Sequence, residues 1–330
     1  MKQLLNRLIN QENISSEEAK QVLVNISNGI YNQSQTASFL TVFMMRSITL
    51  EELKGFRDAL LELCIPIDLK DFNAIDLCGT GGDGKDTFNI STLSSFVTAG
   101  AGVKVSKHGN YGVSSACGSS NVMEHLGIKF SNDEDFLKHA IDKAGICVLH
   151  APLFHPAMKN VAPIRRELGV KTFFNMLGPM VNPSFPKNQM VGVFNLELLR
   201  LYGYLYQNTG KNYSIVHALD GYDEISLTGK TKVISNHSET MFSPEDLGIS
   251  KIEQASIFGG STVEDAAKIF INIINGKGTE PQNNVVFANA GLAIATAKQI
   301  EHKHGFELAK ESLLSGKAKQ SLDKLIELSK

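Results

Sequence analysis

Two glycine-rich segments carry the residues whose types and spacing could bind a phosphate group. The first reads Asp76-Leu-Cys-Gly-Thr-Gly-Gly-Asp-Gly84 and is followed by Asn89-Ile-Ser-Thr92. Glycines allow consecutive backbone N–H groups to converge on an anion, and the N-terminus of a helix adds partial positive charge. The pattern therefore predicts a phosphate-binding loop that leads from a strand into a helix.

The same loop satisfies the GxGxxG pattern of dinucleotide-binding proteins through Gly79, Gly81 and Gly84. Such proteins place an acidic residue about 20 positions further on, where it binds the ribose hydroxyls. Residues 87–123 contain no Asp or Glu. The sequence therefore disfavours a nicotinamide dinucleotide as the ligand.

The second segment is Lys107-His-Gly-Asn-Tyr-Gly-Val-Ser-Ser115, with Gly118-Ser-Ser120 shortly after it. Lysine supplies a compact positive charge, glycines permit a close backbone approach, and serines supply hydroxyl groups. A histidine in a loop is more often a surface residue, but His108 stands among these anion-binding types. We expect both segments to face one anionic ligand.

A pair of carboxylates, Asp223-Glu224 in the stretch DGYDEIS, follows a predicted strand. An acidic pair can be a solvated surface turn. Mg²⁺, however, prefers oxygen ligands and retains waters, and a diphosphate leaving group needs a hard cation to neutralise it. Beside two phosphate-binding loops, the pair predicts a metal site.

Two kinds of periodicity indicate the elements that must position these residues. The first 65 residues have helical spacing only, including a capping box formed by Thr49 and Glu52. From Ala74 onward, predicted strands at 74–78, 102–105, 146–150, 190–194 and 214–219 alternate with helices near 90–100, 119–126, 133–144 and 196–208. Alternation of strand and helix implies a mainly parallel sheet, with ligands beyond the carboxyl ends of its strands.

The predicted fold class is α/β, with a small all-helical subdomain and a large α/β domain whose central, mainly parallel sheet is flanked by helices. The segment HPAMKNVAPIRREL (155–168) and the residues after it interrupt the strand–helix alternation and read as a return to the helical subdomain. We assign 1–68 with about 160–186 to the helical subdomain, and 72–159 with about 187–330 to the α/β domain.

Composition excludes several classes of protein. The chain has 330 residues, with 32 Lys and Arg against 34 Asp and Glu, so its formal net charge is −2 and it lacks the global basic field of a nucleic-acid binder. Its four cysteines are not spaced as zinc ligands, and no run of 18 apolar residues predicts a membrane span. The N-terminus does not read as a signal peptide. We expect a cytoplasmic protein with free thiols and neither a nucleic-acid nor a membrane partner.

Taken together, the GTGGD loop, the NIST and KHGN stretches, HPAMKNVAPIRREL and the Asp223-Glu224 pair resemble the anthranilate phosphoribosyltransferase family. The similarity spans nearly the whole chain. It implies the type IV phosphoribosyltransferase fold, a homodimer formed through the helices, and two Mg²⁺ ions per active site. The implied reaction transfers the 5-phosphoribosyl group of 5-phosphoribosyl 1-diphosphate to the amine of anthranilate, in tryptophan biosynthesis.

The resemblance also implies the site residues. The donor site would comprise Gly79, Gly82, Asp83, Thr87, Asn89, Ile90, Ser91, Thr92, Lys107, His108, Gly109, Asn110, Tyr111, Gly112, Val113, Ser114, Ser115 and Ser119. The magnesium positions would be Ser91, Asp223 and Glu224. Anthranilate would be bound by Arg165 through its carboxylate, and by Asn110 and Gly79, with His108 and His155 at the entrance.

The chemistry needs no general base, because the amine of anthranilate is already neutral near pH 7. We expect catalysis by positioning, by charge neutralisation from Mg²⁺ and Lys107, and by exclusion of water from an oxocarbenium-like transition state. Backside attack predicts inversion at the anomeric carbon.

The chain departs from the family pattern in its second loop. Tyr111 stands where the family usually has Arg, Ala116 where it has Lys or Arg, Cys117 where it has Ser, and Asn121 where Asp is common. Two positive charges are therefore missing, and we expect weaker donor binding or a greater dependence on Mg²⁺.

Two alternatives share this architecture. A pyrimidine nucleoside phosphorylase would have no evident need for Arg165 or for the Asp223-Glu224 pair. A non-catalytic relative that binds nucleic acid should show a basic stripe and a high isoelectric point, whereas this chain has a pI near 6.5.

Overall fold

The computed structural model describes residues 1–112 and 117–330, and the chain divides into two compact units. The first unit comprises Met1–Pro66 and Ala151–Pro183, and the second Ile67–His150 and Ser184–Lys330. The strands are β1 (Ile75–Gly79), β2 (Val105–Gly109), β3 (Ile146–His150), β4 (Asn188–Gly192), β5 (Asn212–Ala218), β6 (Thr231–Ser235) and β7 (Glu239–Phe242). The α-helices are α1 (Lys2–Ile9), α2 (Ser16–Ser27), α3 (Gln33–Met45), α4 (Leu50–Leu63), α5 (Ile90–Gly100), α6 (Ser119–His125), α7 (Glu134–Ala144), α8 (Ala151–Phe154), α9 (Ala162–Leu168), α10 (Phe174–Leu177), α11 (Leu196–Tyr206), α12 (Val263–Ile274), α13 (Glu280–Lys298), α14 (His302–Leu314) and α15 (Lys317–Leu328). Short 3-10 helices occupy Lys70–Phe72, Pro156–Asn160, Gly178–Met180, Pro244–Leu247 and Gln254–Ile257.

The first unit is helical and is built around a cluster of phenylalanines. Phe39, Phe43, Phe56 and Phe173 pack ring against ring, and Phe56 stacks on Phe173 with 4.4 Å between the ring centroids. These side chains lie on α3, on α4 and just before α10. Aromatic pairs of this kind stabilise a core beyond the area that they bury, so the cluster joins the N-terminal helices to the later part of the unit.

The chain returns to the helical unit at Ala151 rather than at about 160. Phe154 carbonyl oxygen accepts the Ile65 N–H at 2.8 Å, and the Asn160 side chain donates to the Ser27 carbonyl at 2.7 Å. Residues 151–159 form α8 and most of a 3-10 helix. The sequence pattern missed this boundary because strand β3 runs directly into these short helices, without a turn signal between them.

The second unit contains a seven-stranded sheet in the order β3-β2-β1-β4-β5-β6-β7. Neighbours from β3 to β5 pair in parallel, whereas β6 and β7 are antiparallel additions that the sequence reading did not predict. Together with the helices that flank the sheet and with the small helical unit, this confirms the predicted fold class. Strand β2 lies at Val105–Gly109 rather than at 102–105, since Gly102 has φ +81° and still belongs to the turn after α5.

The order of the parallel strands fixes where a ligand can bind in this unit. From β1 the chain adds β2 and β3 on one side, and then β4 and β5 on the other. A crevice opens at such a switch point, outside the carboxyl ends of the strands. Here it lies beyond Gly79 of β1 and Gly192 of β4, which are paired in register. Within the described ranges, no helix is both long and apolar enough to cross a bilayer.

Candidate active site

The crevice beyond β1 and β4 is occupied by the backbone and carboxylate of Asp223. A side chain added at Gly79 would collide with the Asp223 carboxylate, and one added at Gly192 would collide with the Asp223 carbonyl oxygen. Gly81, with φ +65°, turns its N–H toward the same carboxylate and donates to Oδ2 at 2.7 Å. Gly79 and Gly192, at the strand ends, therefore leave the space that Asp223 occupies, and the Gly81 N–H hydrogen-bonds its carboxylate.

The neighbouring carboxylate lies at the N-terminus of α5. The Ser91 N–H donates to Glu224 Oε1 at 3.2 Å. Asn89, the N-cap residue, does not cap the helix with its side chain, and its Nδ2 donates to the Cys117 carbonyl at 3.2 Å. The partial positive charge of the helix N-terminus thus stabilises the Glu224 carboxylate.

Burial and mutual repulsion make these carboxylates costly to ionise. Asp223 is 7% exposed and Glu224 is 9% exposed. Burial, reinforced by the nearby Asp83 carboxylate, raises the pKa of Asp223 to about 7. Burial and then the charge of Asp223 raise the pKa of Glu224 well above its usual value. Such a cluster favours a bound cation, which relieves both effects.

The third carboxylate of the cluster supports the loop rather than completing a set of metal ligands. Asp83 accepts the Asp223 N–H at 3.4 Å and the Lys85 N–H at 3.1 Å. Among residues 1–112 and 117–330, no group of three His, Cys, Asp or Glu side chains is arranged to hold a metal ion. Two carboxylates are nevertheless sufficient for Mg²⁺, which usually binds one or two carboxylates together with substrate phosphates and waters.

Lys107, on β2, has a buried side chain that bonds the neighbouring strand β1. Its side chain is 1% exposed, and Nζ donates to the Leu77 carbonyl at 2.9 Å. Burial lowers the pKa of Lys107, while the buried Asp76 carboxylate opposes that effect. Asp76 also accepts the His108 backbone N–H at 3.1 Å. The Lys107 amine is therefore held at the Leu77 carbonyl inside the unit instead of reaching into solvent.

The second loop is tied to α6 by backbone and side-chain hydrogen bonds. The Asn110 carbonyl accepts the Ser120 N–H at 3.1 Å and the Ser119 hydroxyl at 3.3 Å. Asn121 Oδ1 accepts the N–H groups of Gly112 at 2.9 Å and Gly118 at 3.0 Å. Asn121, at the position where Asp is common in the family, thus joins the two described ends of the loop.

Tyr111 does not occupy the loop as a substitute for a cation. Its hydroxyl donates to Glu124 of α6 at 3.2 Å, and its ring meets the edge of His150 with 4.8 Å between centroids. His150 in turn hydrogen-bonds Ser120 at 2.9 Å. The predicted donor residues Val113, Ser114 and Ser115, and the departure at Ala116, lie outside the described residues.

Arg165 and His155 belong to the first unit. Arg165 Nη2 donates to Asn175 Oδ1 at 3.2 Å, and its guanidinium lies 5.2 Å from the centre of the Phe174 ring. Burial lowers the pKa of Arg165. His155 is 6% exposed and its Nε2 lies 2.9 Å from the Val181 carbonyl oxygen. Burial lowers the pKa of His155 to about 4, so the ring is neutral near pH 7.

The structure brings together, within the second unit, five residues of the predicted donor and metal sites. Gly79, Asp83, Ser91, Asp223 and Glu224 meet at the carboxyl ends of β1 and β4. Other predicted donor residues are held in the fold by packing or by backbone pairing. Ile90 and Thr92 are buried, and Thr87 forms a β-bridge to Phe258.

Sequence reasoning missed two residues with structural roles at these positions, namely Gly192 and Asn175, and it identified Asn121 only as a departure from the family pattern. Gly192 leaves space for Asp223, which is distant in the chain, and Asn175 accepts a hydrogen bond through its side-chain amide. Gly192, in the middle of the predicted strand 190–194, was the one available signal, because a glycine inside a strand often marks a close backbone approach.

Comparison with known proteins agrees with this geometry. Residues 2–64 match a family described as the helical bundle domain of a glycosyl transferase family, and residues 71–319 match the a/b domain of that family. Curated proteins named anthranilate phosphoribosyltransferase are similar over the full length. Those of Flavobacterium psychrophilum and Flavobacterium johnsoniae are 72% and 71% identical over 329 residues, covering 100% of both chains in each case.

Solved structures show the same similarity. Anthranilate phosphoribosyltransferase from Thermus thermophilus is 32% identical, with a TM-score of 0.90 and 98% of each chain covered. The enzyme from Saccharomyces cerevisiae in complex with PRPP and Mg is 26% identical, with a TM-score of 0.91, covering 98% of this chain and 96% of the other.

Proposed function

The chain belongs to the anthranilate phosphoribosyltransferase family, and from this premise we propose that it transfers the 5-phosphoribosyl group of 5-phosphoribosyl 1-diphosphate to the amine of anthranilate. The products are N-(5-phosphoribosyl)anthranilate and diphosphate, and the reaction is a step of tryptophan biosynthesis. The observation that carries the proposal is the placement of Asp223 and Glu224 against the amides of Gly81 and Ser91. This arrangement joins a cation site to a phosphate-binding loop.

The donor is assigned to the second unit. The loop from Gly79 to Asp83 and the N-terminus of α5 offer amide groups at the carboxyl end of β1, where a phosphate is stabilised by N–H donors and the helix dipole. The second loop, from Lys107 to Ser115, follows the adjacent strand β2. Lys107 supplies a positive charge. The remaining predicted donor residues stay predictions.

The residues present fit Mg²⁺. Asp223 and Glu224 provide oxygen ligands of the kind the ion prefers, and their raised pKa values reflect a site that a cation would relieve. Ser91 is predicted as a third ligand, and two ions per site are part of the proposal. When bound, Mg²⁺ would supply neutralisation of the negative charge that develops on the departing diphosphate.

The acceptor is assigned to Arg165. Anthranilate is flat, aromatic and anionic, and a planar guanidinium over an aromatic ring suits recognition of a carboxylate. Arg165 has this environment through Phe174. Gly79, Asn110, His108 and His155 are the other predicted acceptor residues.

The chain's own residues then act by positioning and electrostatics. The neutral amine attacks the anomeric carbon without a general base, and the C–O bond to diphosphate breaks as the C–N bond forms. Lys107 stabilises negative charge on the leaving group, and the amine loses its extra proton to solvent after attack. Attack from the face opposite the diphosphate inverts the donor's α configuration to β.

We further propose a cytoplasmic homodimer formed through the helical unit. Ile9, Met44 and Met45, which lie in α1 and α3, are exposed apolar side chains of that unit. Exposed apolar side chains support an interface where they form a contiguous patch. Sedimentation of the full chain tests this state.

Two other functions of this architecture are not favoured. A pyrimidine nucleoside phosphorylase uses free phosphate and a neutral base, so it has no evident use for Arg165 or for the Asp223-Glu224 pair. A nucleic-acid binder conflicts with the formal net charge of −2.

The decisive experiment mixes the protein with anthranilate, 5-phosphoribosyl 1-diphosphate and Mg²⁺, and follows the loss of anthranilate fluorescence. We expect turnover that requires all three components. Product configuration is read by NMR, and α product would contradict inversion. Unchanged fluorescence at high enzyme concentration, with the same protein binding nucleic acid, would replace the transferase by the binding-protein alternative.

A further inference from the structure

Asn175 of α10 holds Arg165 through a side-chain oxygen that is itself fixed. Asn175 Oδ1 accepts Arg165 Nη2 at 3.2 Å and the Thr172 N–H at 3.2 Å. The Asn175 N–H donates back to the Thr172 carbonyl at 3.0 Å. Because both acceptor positions of the oxygen are used by donors, the amide cannot turn without losing two hydrogen bonds. It therefore sets the orientation of the guanidinium.

Within residues 1–112 and 117–330, the Arg165 side chain makes its hydrogen bond and its ring contact with neutral groups. Its side-chain partners are the Asn175 amide and the Phe174 ring, and no ion pair between Arg165 and an Asp or Glu occurs among residues 1–112 and 117–330. Its Nε is buried and, within those ranges, has no hydrogen-bond partner. A half-buried cation without a counter-charge is unfavourable. An anionic ligand removes that cost, whereas a neutral ligand does not.

We propose that Asn175 is a positioning residue that makes the site selective for a carboxylate acceptor, because its neutral oxygen orients Arg165 without neutralising it. The inference rests on the proposed function, in which Arg165 binds the carboxylate of anthranilate. An Asp has nearly the same shape as Asn, but its carboxylate pairs strongly with a guanidinium. At this position it would serve Arg165 as an internal counter-ion and compete with the ligand.

The test compares N175D with R165Q and the unaltered protein, using the full chain. Dissociation constants for anthranilate and for its neutral isostere 2-aminobenzamide are measured by fluorescence titration. We expect N175D to weaken anthranilate by about tenfold or more, as loss of one charge-assisted interaction does, and to leave 2-aminobenzamide unchanged. Steady-state kinetics should show a raised KM for anthranilate, with kcat and the donor KM nearly unchanged.

The outcomes separate the inference from its premise. If R165Q binds anthranilate as tightly as the unaltered protein, the role of Arg165 in the proposed function is wrong. If R165Q weakens anthranilate but N175D keeps the original preference over 2-aminobenzamide, Asn175 does not set selectivity and the inference is overturned. Should N175D have a lower melting temperature, N175S replaces it. This variant removes the contact without adding charge, and an unchanged dissociation constant for anthranilate in N175S also overturns the inference.

Discussion

The Gly81 amide donates to the Asp223 carboxylate at 2.7 Å, across a separation of 142 positions in the chain. A loop amide proposed for phosphate thus hydrogen-bonds a carboxylate proposed for Mg²⁺. A carboxylate has two oxygens with several acceptor positions, so Asp223 can keep this bond while it binds a cation. The bond couples the loop to the cation site, and we therefore expect Mg²⁺ and the donor to bind cooperatively.

Replacing Asp223 by Asn should weaken the cation site while preserving its shape. We expect the Mg²⁺ concentration for half-maximal activity to rise about tenfold, corresponding to loss of one charged ligand. Melting temperature in EDTA should stay the same or rise, because the change removes one of two buried, mutually repelling carboxylates. Activity is titrated with Mg²⁺ at saturating donor.

The matched control is D142N, which alters an exposed carboxylate on α7 of the same unit. It should leave the Mg²⁺ titration unchanged. A D223N protein with the original Mg²⁺ requirement would show that Asp223 is not a ligand.

Restoring positive charge to the second loop should tighten donor binding. Tyr111 is anchored to Glu124 and His150, so Y111R both adds a cation and releases Glu124. We expect the donor KM to fall about fivefold, roughly 1 kcal/mol, for a partly exposed phosphate contact. A116K tests the second missing charge in the same way. The donor is titrated at fixed Mg²⁺.

Y111F serves as the control, because it keeps the ring against His150 and loses only the hydroxyl. It should leave the donor KM unchanged. If neither Y111R nor A116K changes the donor KM, the missing charges do not limit donor affinity.

Local pattern was sufficient to predict that the first glycine-rich loop and the Asp223-Glu224 pair lie together at the carboxyl ends of the strands. Gly79 to Gly84 is one short segment at the end of a strand, and Asp223-Glu224 also follows a strand. The rule that ligands bind beyond the carboxyl ends of parallel strands therefore predicted the location of both. The antiparallel strands β6 and β7 were not predictable in this way. Their sequences, TKVIS and ETMF, are short and partly exposed, and β7 is an edge strand of the sheet.

Contacts between distant side chains set the limit of sequence reasoning. The Lys107 side chain reads as a loop cation, yet its position under Leu77 depends on the register of β1 and β2. Asn121 and Asn175 act through amide oxygens that accept from partners in other elements. Such roles follow from tertiary packing, which residue type and spacing do not specify.

Removing Glu52 should destabilise the helical unit strongly. Glu52 is fully buried and accepts Arg46 Nη1 at 3.1 Å, the Ile14 N–H at 3.1 Å and the Thr49 N–H at 2.9 Å. E52A leaves the buried Arg46 without its partner, and we expect a loss of about 3–5 kcal/mol in unfolding free energy. Urea denaturation followed by circular dichroism measures this free energy.

The exposed pair of Lys138 and Glu134 serves as the control, and K138Q should not shift the unfolding midpoint measurably. An equal effect of both variants would show that burial of the pair is unimportant.

The buried ring of His155 should make stability fall as the pH is lowered. Burial depresses its pKa from 6.5 to about 4 in the folded protein, so between these values the unfolded chain binds a proton that the folded chain does not. Stability is therefore complete above pH 6.5 and is lost progressively as the pH falls toward 4, by about 3 kcal/mol for this group at about 1.36 kcal/mol per unit. Because other groups titrate in the same pH range, the test compares the unfolding free energy of the unaltered protein with that of H155Q at each pH. Glutamine can still donate to the Val181 carbonyl but cannot be protonated. We expect the difference in unfolding free energy to shift in favour of H155Q by about 3 kcal/mol between pH 7 and pH 4, whereas parallel curves for the two proteins would show that His155 already titrates normally in the folded state.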